Sequence, residues 1–402
     1  MRHDLRPFRR EKGKKELRRL FLMAKQVVAV LLYAAACAAF RVRGGAQNKA
    51  TKAASTRLAP LPVSLSQQFV LATEAANPLY RRRETAAERE EGTMFKTPAF
   101  RFFDFLFGIP IVHDIMFGVY RKQIVEKSEK MGLPWTSFMD EQWASLDRLK
   151  GRAEAIRDPN VVVPEYYYAP IHAYKEGNLC WESAMEEDLW SKLMIAPLYN
   201  NALDGDVQMR SNWLTITERV VDKPQKATDL GCGTGLSMYM LSDRWPSITD
   251  VTGVDMSTYK LAISEEKKSE MSAEKAAKYR LVHGAAEKTD VPSESQDLVS
   301  LCLVAHESPA WVSKAIFAEA YRILKPGGSF TMLDLDKENL ENLLENPFVA
   351  AVYKQTEPYM SEFLQLDPKK DLPAAGFEIT AVDNASRSHR VYVARKPLLS
   401  LP

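Results

Sequence analysis

Cysteine is scarce in this chain and never paired. Cys37, Cys180, Cys232 and Cys302 include no CxxC and have no histidine beside them at metal-ligand spacing. That pattern argues against a disulfide scaffold and a cysteine zinc site, and no metal ligands are read from the sequence. With Cys37 set aside in the leader an odd number remains, which fits a reducing compartment. Acidic residues are missing altogether from Leu17 to Thr73. The apolar run Val27 to Phe40 falls short of the roughly 20 residues that span a bilayer. No internal repeat is evident, so a solenoid or propeller is excluded.

What is present divides the 402 residues unevenly. The formal net charge of +2 hides fifteen Lys and Arg against three acids (Asp4, Glu11, Glu16) in residues 1–73. The remainder holds 39 basic and 49 acidic residues and is net acidic. The basic charge belongs to a leader and leaves no nucleic-acid footprint on the folded part. Residues 23–40, with Met23-Ala24-Lys25 ahead of the apolar run, have signal-peptide order. Residues 41–73 are basic, hydroxylated and acid-free, as transit peptides are. The junction Ala36-Cys37-Ala38-Ala39-Phe40 resembles the two-part leaders of proteins imported into secondary plastids, which makes a plastid the expected location. A membrane anchor at residues 27–40 is the alternative, and Met23 competes with Met1 as the start. Residues 74–94, charge-dense around Arg81-Arg82-Arg83-Glu84, read as a linker.

With 46% hydrophobic residues the rest can bury a sizeable core. Residues 95–222 are aromatic-rich and helical in pattern, an expected cap or substrate region. Residues 223–402 alternate short β-branched strands with amphipathic helices. Strands are expected at Ala227–Leu230, Asp250–Val254, Tyr279–His283, Leu298–Leu303, Ser329–Leu335, Phe377–Asp383 and Arg390–Ala394. Helices are expected at His113–Met131, Leu236–Trp245, Tyr259–Ala277 and Val312–Leu324. This alternation predicts an α/β fold with an open, mostly parallel sheet and helices on both faces. The short connection Asn384–Ser388 forces the last two strands antiparallel.

Ligands of such sheets sit outside the carboxyl ends of the strands. There Asp229-Leu230-Gly231-Cys232-Gly233-Thr234-Gly235 joins the first strand to a helix. Glycines allow the sharp turn and a close backbone approach. GxGxG spacing lacks the third glycine of the dinucleotide fingerprint. The acid before it would repel a pyrophosphate but suits an ammonium group. Asp255, 26 residues beyond Asp229, can accept both hydroxyls of a ribose or merely cap the next helix. Gly284-Ala285-Ala286-Glu287 and Leu324-Lys325-Pro326-Gly327-Gly328 complete the series.

These four markers, in this order, resemble the class I methyltransferases, in the branch that includes the ubiquinone/menaquinone C-methyltransferases. The resemblance covers about residues 226–335, and the tail through Val391–Lys396 also fits. It implies a Rossmann-like fold with seven strands and S-adenosyl-L-methionine as cofactor. By that resemblance Asp229, Gly231, Cys232, Gly233 and Gly235 face the methionine part, and Asp255 with Met256 the ribose. Ala286 and Glu287 lie along the adenine. The family commonly has an acid where this chain has Ala285, which removes one expected contact to the adenine amine; Glu287 either substitutes for it or caps the next segment.

His306 and Glu307, following the fourth strand, are the expected general base or orienting pair, with a structural role for His306 as the alternative. Tyr174, Asn178 and Trp181 are the expected acceptor contacts, although core packing accounts for most aromatics of that region. A third reading makes Phe100–Phe107 a peripheral membrane contact. The expected reaction is methyl transfer to a small apolar or aromatic acceptor, such as a prenylquinone, chromanol or phenolic. Protein methylation and a non-catalytic scaffold are the alternatives. Oligomeric state is not legible.

Overall fold

The computed structural model describes residue 95 and residues 97–398. The leader, 1–73, and the linker, 74–94, lie outside the described residues. Seven strands form one sheet: β1 (Lys226–Leu230), β2 (Asp250–Asp255), β3 (Tyr279–His283), β4 (Gln296–Cys302), β5 (Leu324–Leu335), β6 (Glu378–Ser386) and β7 (His389–Arg395). Their order is β3-β2-β1-β4-β5-β7-β6. β1 to β5 pair in parallel, whereas β7 runs antiparallel to both β5 and β6. The order reverses between β1 and β4, so their carboxyl ends frame the crevice that open α/β sheets offer to ligands.

The expected mostly parallel sheet is present. Strands buried on both faces are near-continuously apolar, and β4 and β5 are covered along almost their whole length. β5 begins at Leu324, before the Pro326-Gly327-Gly328 turn, and a register shift against β4 at Gln296/Leu298 absorbs it. The expected loop Asn384–Ser388 is shorter than read, because β6 continues to Ser386. The expected helix Tyr259–Ala277 is two helices, since Ser272 caps a separate short one by accepting from the Lys275 amide at 3.3 Å.

Among the described residues six α-helices precede the sheet: α1 (Pro98–Phe107), α2 (Pro110–Lys130), α3 (Trp135–Ala144), α4 (Leu146–Ile156), α5 (Trp181–Ile195) and α6 (Gly205–Glu218). Within the sheet region come α7 (Met238–Arg244), α8 (Thr258–Ser269), α9 (Ala273–Ala276) and α10 (Ala310–Ile323). Between β5 and β6 lie α11 (Lys337–Leu344), α12 (Pro347–Thr356), α13 (Met360–Phe363) and α14 (Pro368–Ala374).

The helical cover is therefore not confined to residues 95–222. α1 packs on α12, with Phe103 and Phe107 set edge-on to Phe348 at 5.5 and 5.6 Å, and Lys354 paired to Asp104 at 2.7 Å. Sheet and cover share one core, in which Phe100, Phe107 and Phe117 join Leu230, Leu301 and Phe330. α6 is tied to the sheet by buried Trp213, whose indole donates to Thr331 Oγ1 at 2.8 Å.

Candidate active site

The turn after β1 is clamped to the end of β2. The Gly231 and Cys232 amides both donate to the Val254 carbonyl, at 2.8 and 3.0 Å. The Gly233 amide donates to Asp255 Oδ2 at 2.8 Å, and Asp255 Oδ1 accepts from the Ser257 amide at 2.8 Å and from Tyr167 Oη at 3.4 Å. Asp255 is not the cap of α8; Ser257 is, accepting from the Lys260 amide at 3.3 Å. Burial pushes the Asp255 carboxyl up, against the pull of Lys260 and the two amides.

The three glycines of the turn do different work. Gly233 has φ +52°, and a Cβ there would stand 2.5 Å from Glu187 Oε1. Gly235 has φ +86°, but its added Cβ would strike Tyr239 and Ser264, the packing side of α7 and α8. Gly235 is thus a helix-packing glycine, not a cleft residue as expected. Asp229 also stands behind the cleft. Its Oδ1 accepts from Ser300 Oγ at 2.5 Å, and burial pushes its carboxyl up to about 7.

One cavity of about 670 Å³ opens onto this turn. Gly231, Cys232, Gly233, Asp255, Met256, Ala286 and Glu287 line one end, as expected. Glu287 Oε1 accepts from Tyr166 Oη at 2.7 Å, while its Oε2 is buried and accepts no hydrogen bond. Phe117, Tyr120, Met194, Val352, Tyr353 and Met360 supply apolar wall elsewhere in the cavity.

His306 and Glu307 line the same cavity, on a 3-10 turn of residues 305–307. His306 Nδ1 is 2.7 Å from Asp334 Oδ1, which leaves Nε2 for the cavity. Burial alone would lower the imidazole pKa, but Asp334 outweighs it and the value rises to about 9. Burial would raise the Glu307 carboxyl; His172, Lys260 and His306 together hold it below its ordinary range. Asn178 Nδ2 donates to Glu307 Oε2 at 2.9 Å. Tyr174 lines the cavity too, with its hydroxyl donating to Glu186 and accepting from Trp190 Nε1 at 2.8 Å. Trp181 does not reach the cavity. Its ring packs edge-on against Tyr259 at 4.9 Å, so it is a core aromatic.

Several functional residues carried no sequence signal. Tyr166, Tyr167, His172 and Glu187 come from the N-terminal region, and Glu357 from the cover between β5 and β6; folding alone brings them to the cleft. Asp334, the last-but-one residue of β5, is the partner that a strand-end acid following Pro326-Gly327-Gly328 could have suggested.

A family model described as a methyltransferase domain matches residues 228–332. A demethylmenaquinone methyltransferase of Listeria monocytogenes serotype 4a is 27% identical over 149 residues, 36% of this chain and 61% of the relative. Its counterpart in Staphylococcus aureus is 33% identical over 120 residues, 30% of this chain and 47% of the relative. The chain thus spans about half to three-fifths of the length of the curated relatives it matches. Among solved structures, Haemonchus contortus phosphoethanolamine N-methyltransferase 2 in complex with S-adenosyl-L-methionine aligns at 17% identity and a TM-score of 0.35, covering 46% of this chain and 52% of that one. A SAM-dependent methyltransferase from Aquifex aeolicus aligns at 16% identity and a TM-score of 0.37, covering 47% and 92%. By its motifs and its family match, residues 228–332 of this chain form a methyltransferase domain.

Proposed function

We propose that the chain transfers a methyl group from S-adenosylmethionine to a small aromatic acceptor of the quinol or phenolic kind. The observation that carries this reading is one cavity lined together by the glycine turn, Asp255, His306, Glu307 and apolar side chains. Its residues fit the donor. Gly233 lets the turn lie against the Glu187 carboxylate where a Cβ would collide, Glu287 offers an orphaned buried oxygen at the adenine end, and Asp255 presents an anchored carboxylate. S-adenosylmethionine supplies a sulfonium methyl for in-line displacement, where alignment does most of the work.

The chain's own residues supply position and proton handling. Asp255 would hold the ribose hydroxyls, each charged hydrogen bond being worth about 1.5–3 kcal/mol. Glu187, which accepts from the Thr234 amide at 3.1 Å and lines the cavity, sets negative potential at the methionine end. Glu307, anchored by Asn178, is placed to accept the proton of an acceptor hydroxyl, and His306, oriented by Asp334, to hold the oxygen. The walls around Phe117, Tyr353 and Met360 suit a flat or prenylated molecule and exclude water. The named activity of the demethylmenaquinone methyltransferases agrees with that acceptor class. Exposed Phe102 and Phe105 on α1 support access to a lipid-soluble acceptor at a membrane surface. Among the described residues no single helix is long and apolar enough to cross a membrane. The leader adds plastid import to the proposal, to be tested by imaging a fluorescent fusion of residues 1–94.

The test is calorimetric titration of the full chain with S-adenosylmethionine, followed by incubation with labelled cofactor and demethylated quinols. Micromolar binding and a labelled quinol are expected. Absence of cofactor binding would refute the reading.

A further inference from the structure

Four side chains converge in this cavity from three separate parts of the chain. His172 lies in the tight turn Ile171–Tyr174, His306 and Glu307 after β4, and Glu357 just past α12. His172 Nε2 is 3.1 Å from Glu357 Oε1 and 3.4 Å from Glu307 Oε1. His306 Nε2 is 3.9 Å from Glu307 Oε1. Donor atoms of His172, His306 and Glu357 all lie within 4.8 Å of one another. Four ligands placed tetrahedrally about 2.1 Å from a metal stand about 3.4 Å apart; the His172–Glu357 and His172–Glu307 separations, 3.1 and 3.4 Å, are close to that.

Each donor is held from behind. Asp334 takes the Nδ1 edge of His306 at 2.7 Å, the carboxylate–histidine arrangement that directs Nε2 toward a metal. Asn178 fixes the outer oxygen of Glu307. His172 and Ala173 both adopt left-handed backbone, φ +51° and +67°, which side chains other than glycine rarely take, and the His172 amide is bonded to the Thr356 carbonyl at 2.7 Å. That bond sets the strained turn against Glu357. Glu357 is nine-tenths buried, and its Oε2 accepts no hydrogen bond. Charge is unbalanced as well. Glu307, Glu357 and Asp334 place three carboxylates around two imidazoles, so one negative charge is left even with both imidazoles protonated, and the nearby Lys260 ammonium is paired to Glu187 at 2.9 Å. A buried excess of this sign calls for a cation.

We propose that His172, His306, Glu307 and Glu357 bind one divalent transition-metal ion, through the two imidazole Nε2 atoms and the two carboxylates. Two imidazoles with two carboxylates suit Zn²⁺ or Mn²⁺ better than Mg²⁺ or Ca²⁺, which take all-oxygen shells. With the ion bound, the acceptor oxygen would add to it as a further ligand and be held deprotonated there, in place of proton transfer to Glu307. The role in activation rests on the proposed methyl transfer; the site itself does not.

The untagged full chain, stripped with chelator, is dialysed against Zn²⁺ and separately against Mn²⁺, and bound metal is quantified by mass spectrometry. One equivalent of at least one metal is expected per chain, with a rise in melting temperature. His172→Gln and Glu357→Gln should each weaken uptake at least tenfold while calorimetric binding of S-adenosylmethionine stays within twofold. Cobalt loading of the wild type should give visible bands of a four-coordinate nitrogen–oxygen site, a readout that needs no variant. Uptake below one-tenth of an equivalent by the wild type, an absent cobalt spectrum, or uptake by both variants equal to that of the wild type overturns the site and identifies the cluster as proton-bridged. Metal uptake without cofactor binding would instead refute only the methyl-transfer reading.

Discussion

Replacing Asp255 by alanine takes away the one side chain that joins both halves of the donor pocket. Its Oδ2 accepts from the Gly233 amide and its Oδ1 from the Ser257 amide, both at 2.8 Å. Burial has already pushed this carboxyl up, so part of the strength of these bonds is spent on keeping it ionised. Asp255→Ala leaves two buried amides without their acceptor and removes the partner of the ribose hydroxyls. Loss of one hydrogen bond to a charged acceptor costs about 1.5–3 kcal/mol, which corresponds to roughly tenfold to 150-fold weaker cofactor binding. Asp255→Asn keeps one acceptor oxygen and sets an amide against an amide, so it should fall between wild type and alanine. Calorimetry at fixed pH and salt gives the affinities, and circular dichroism confirms that the sheet persists. Cofactor affinity within twofold of wild type for a folded Asp255→Ala would remove the ribose assignment and the argument from the turn's geometry.

The two glycines should separate by phenotype: Gly233→Ala, colliding with Glu187, should weaken cofactor binding about tenfold with little loss of melting temperature, and Gly235→Ala, colliding with Tyr239, should lower stability first. Equal effects on binding would contradict the split. Burial pushes the His389 imidazole down to about 4, so the fold favours its neutral form. Stability from this group is full above the unfolded value near 6.5 and declines as pH falls toward 4, by about 3 kcal/mol in all; urea midpoints between pH 7 and 4 should show that slope, and His389→Gln should flatten it. Phe102→Ser with Phe105→Ser, at rings 52% and 72% exposed, should leave the melting temperature unchanged and reduce co-sedimentation with lipid vesicles. Equal sedimentation of wild type and variant would count against a membrane-facing α1.

The sheet was legible because short β-branched segments alternate with helical periods, and that period survives whatever surrounds it. The strand-end turn was legible because glycine spacing reports a backbone path. What a motif does not report is which side of the turn each glycine faces, and so Gly235 was placed in the cleft although it packs on Tyr239. Trp181 was read as an acceptor contact for the same reason: an aromatic near a polar residue looks alike in a core and in a pocket. The acid cluster was half visible. His306 and Glu307 follow a strand in the expected place, but His172 and Glu357 reach them only through tertiary packing. Between Leu335 and Phe377 no strand interrupts the helices, and nothing in their pattern says that they return over the cavity to meet α1.

That return ties the ends of the fold together in a way that the linear order hides. α1 precedes the sheet and α12 follows its fifth strand, yet aromatic packing and the Asp104–Lys354 pair fasten one to the other. A single backbone cut between α6 and β1 would accordingly not free the front segment, because Phe103 and Phe107 stay gripped by Phe348. The two fragments should remain a noncovalent complex. Topologically the cover is a clasp closed from both sides, not a flap hung from one hinge.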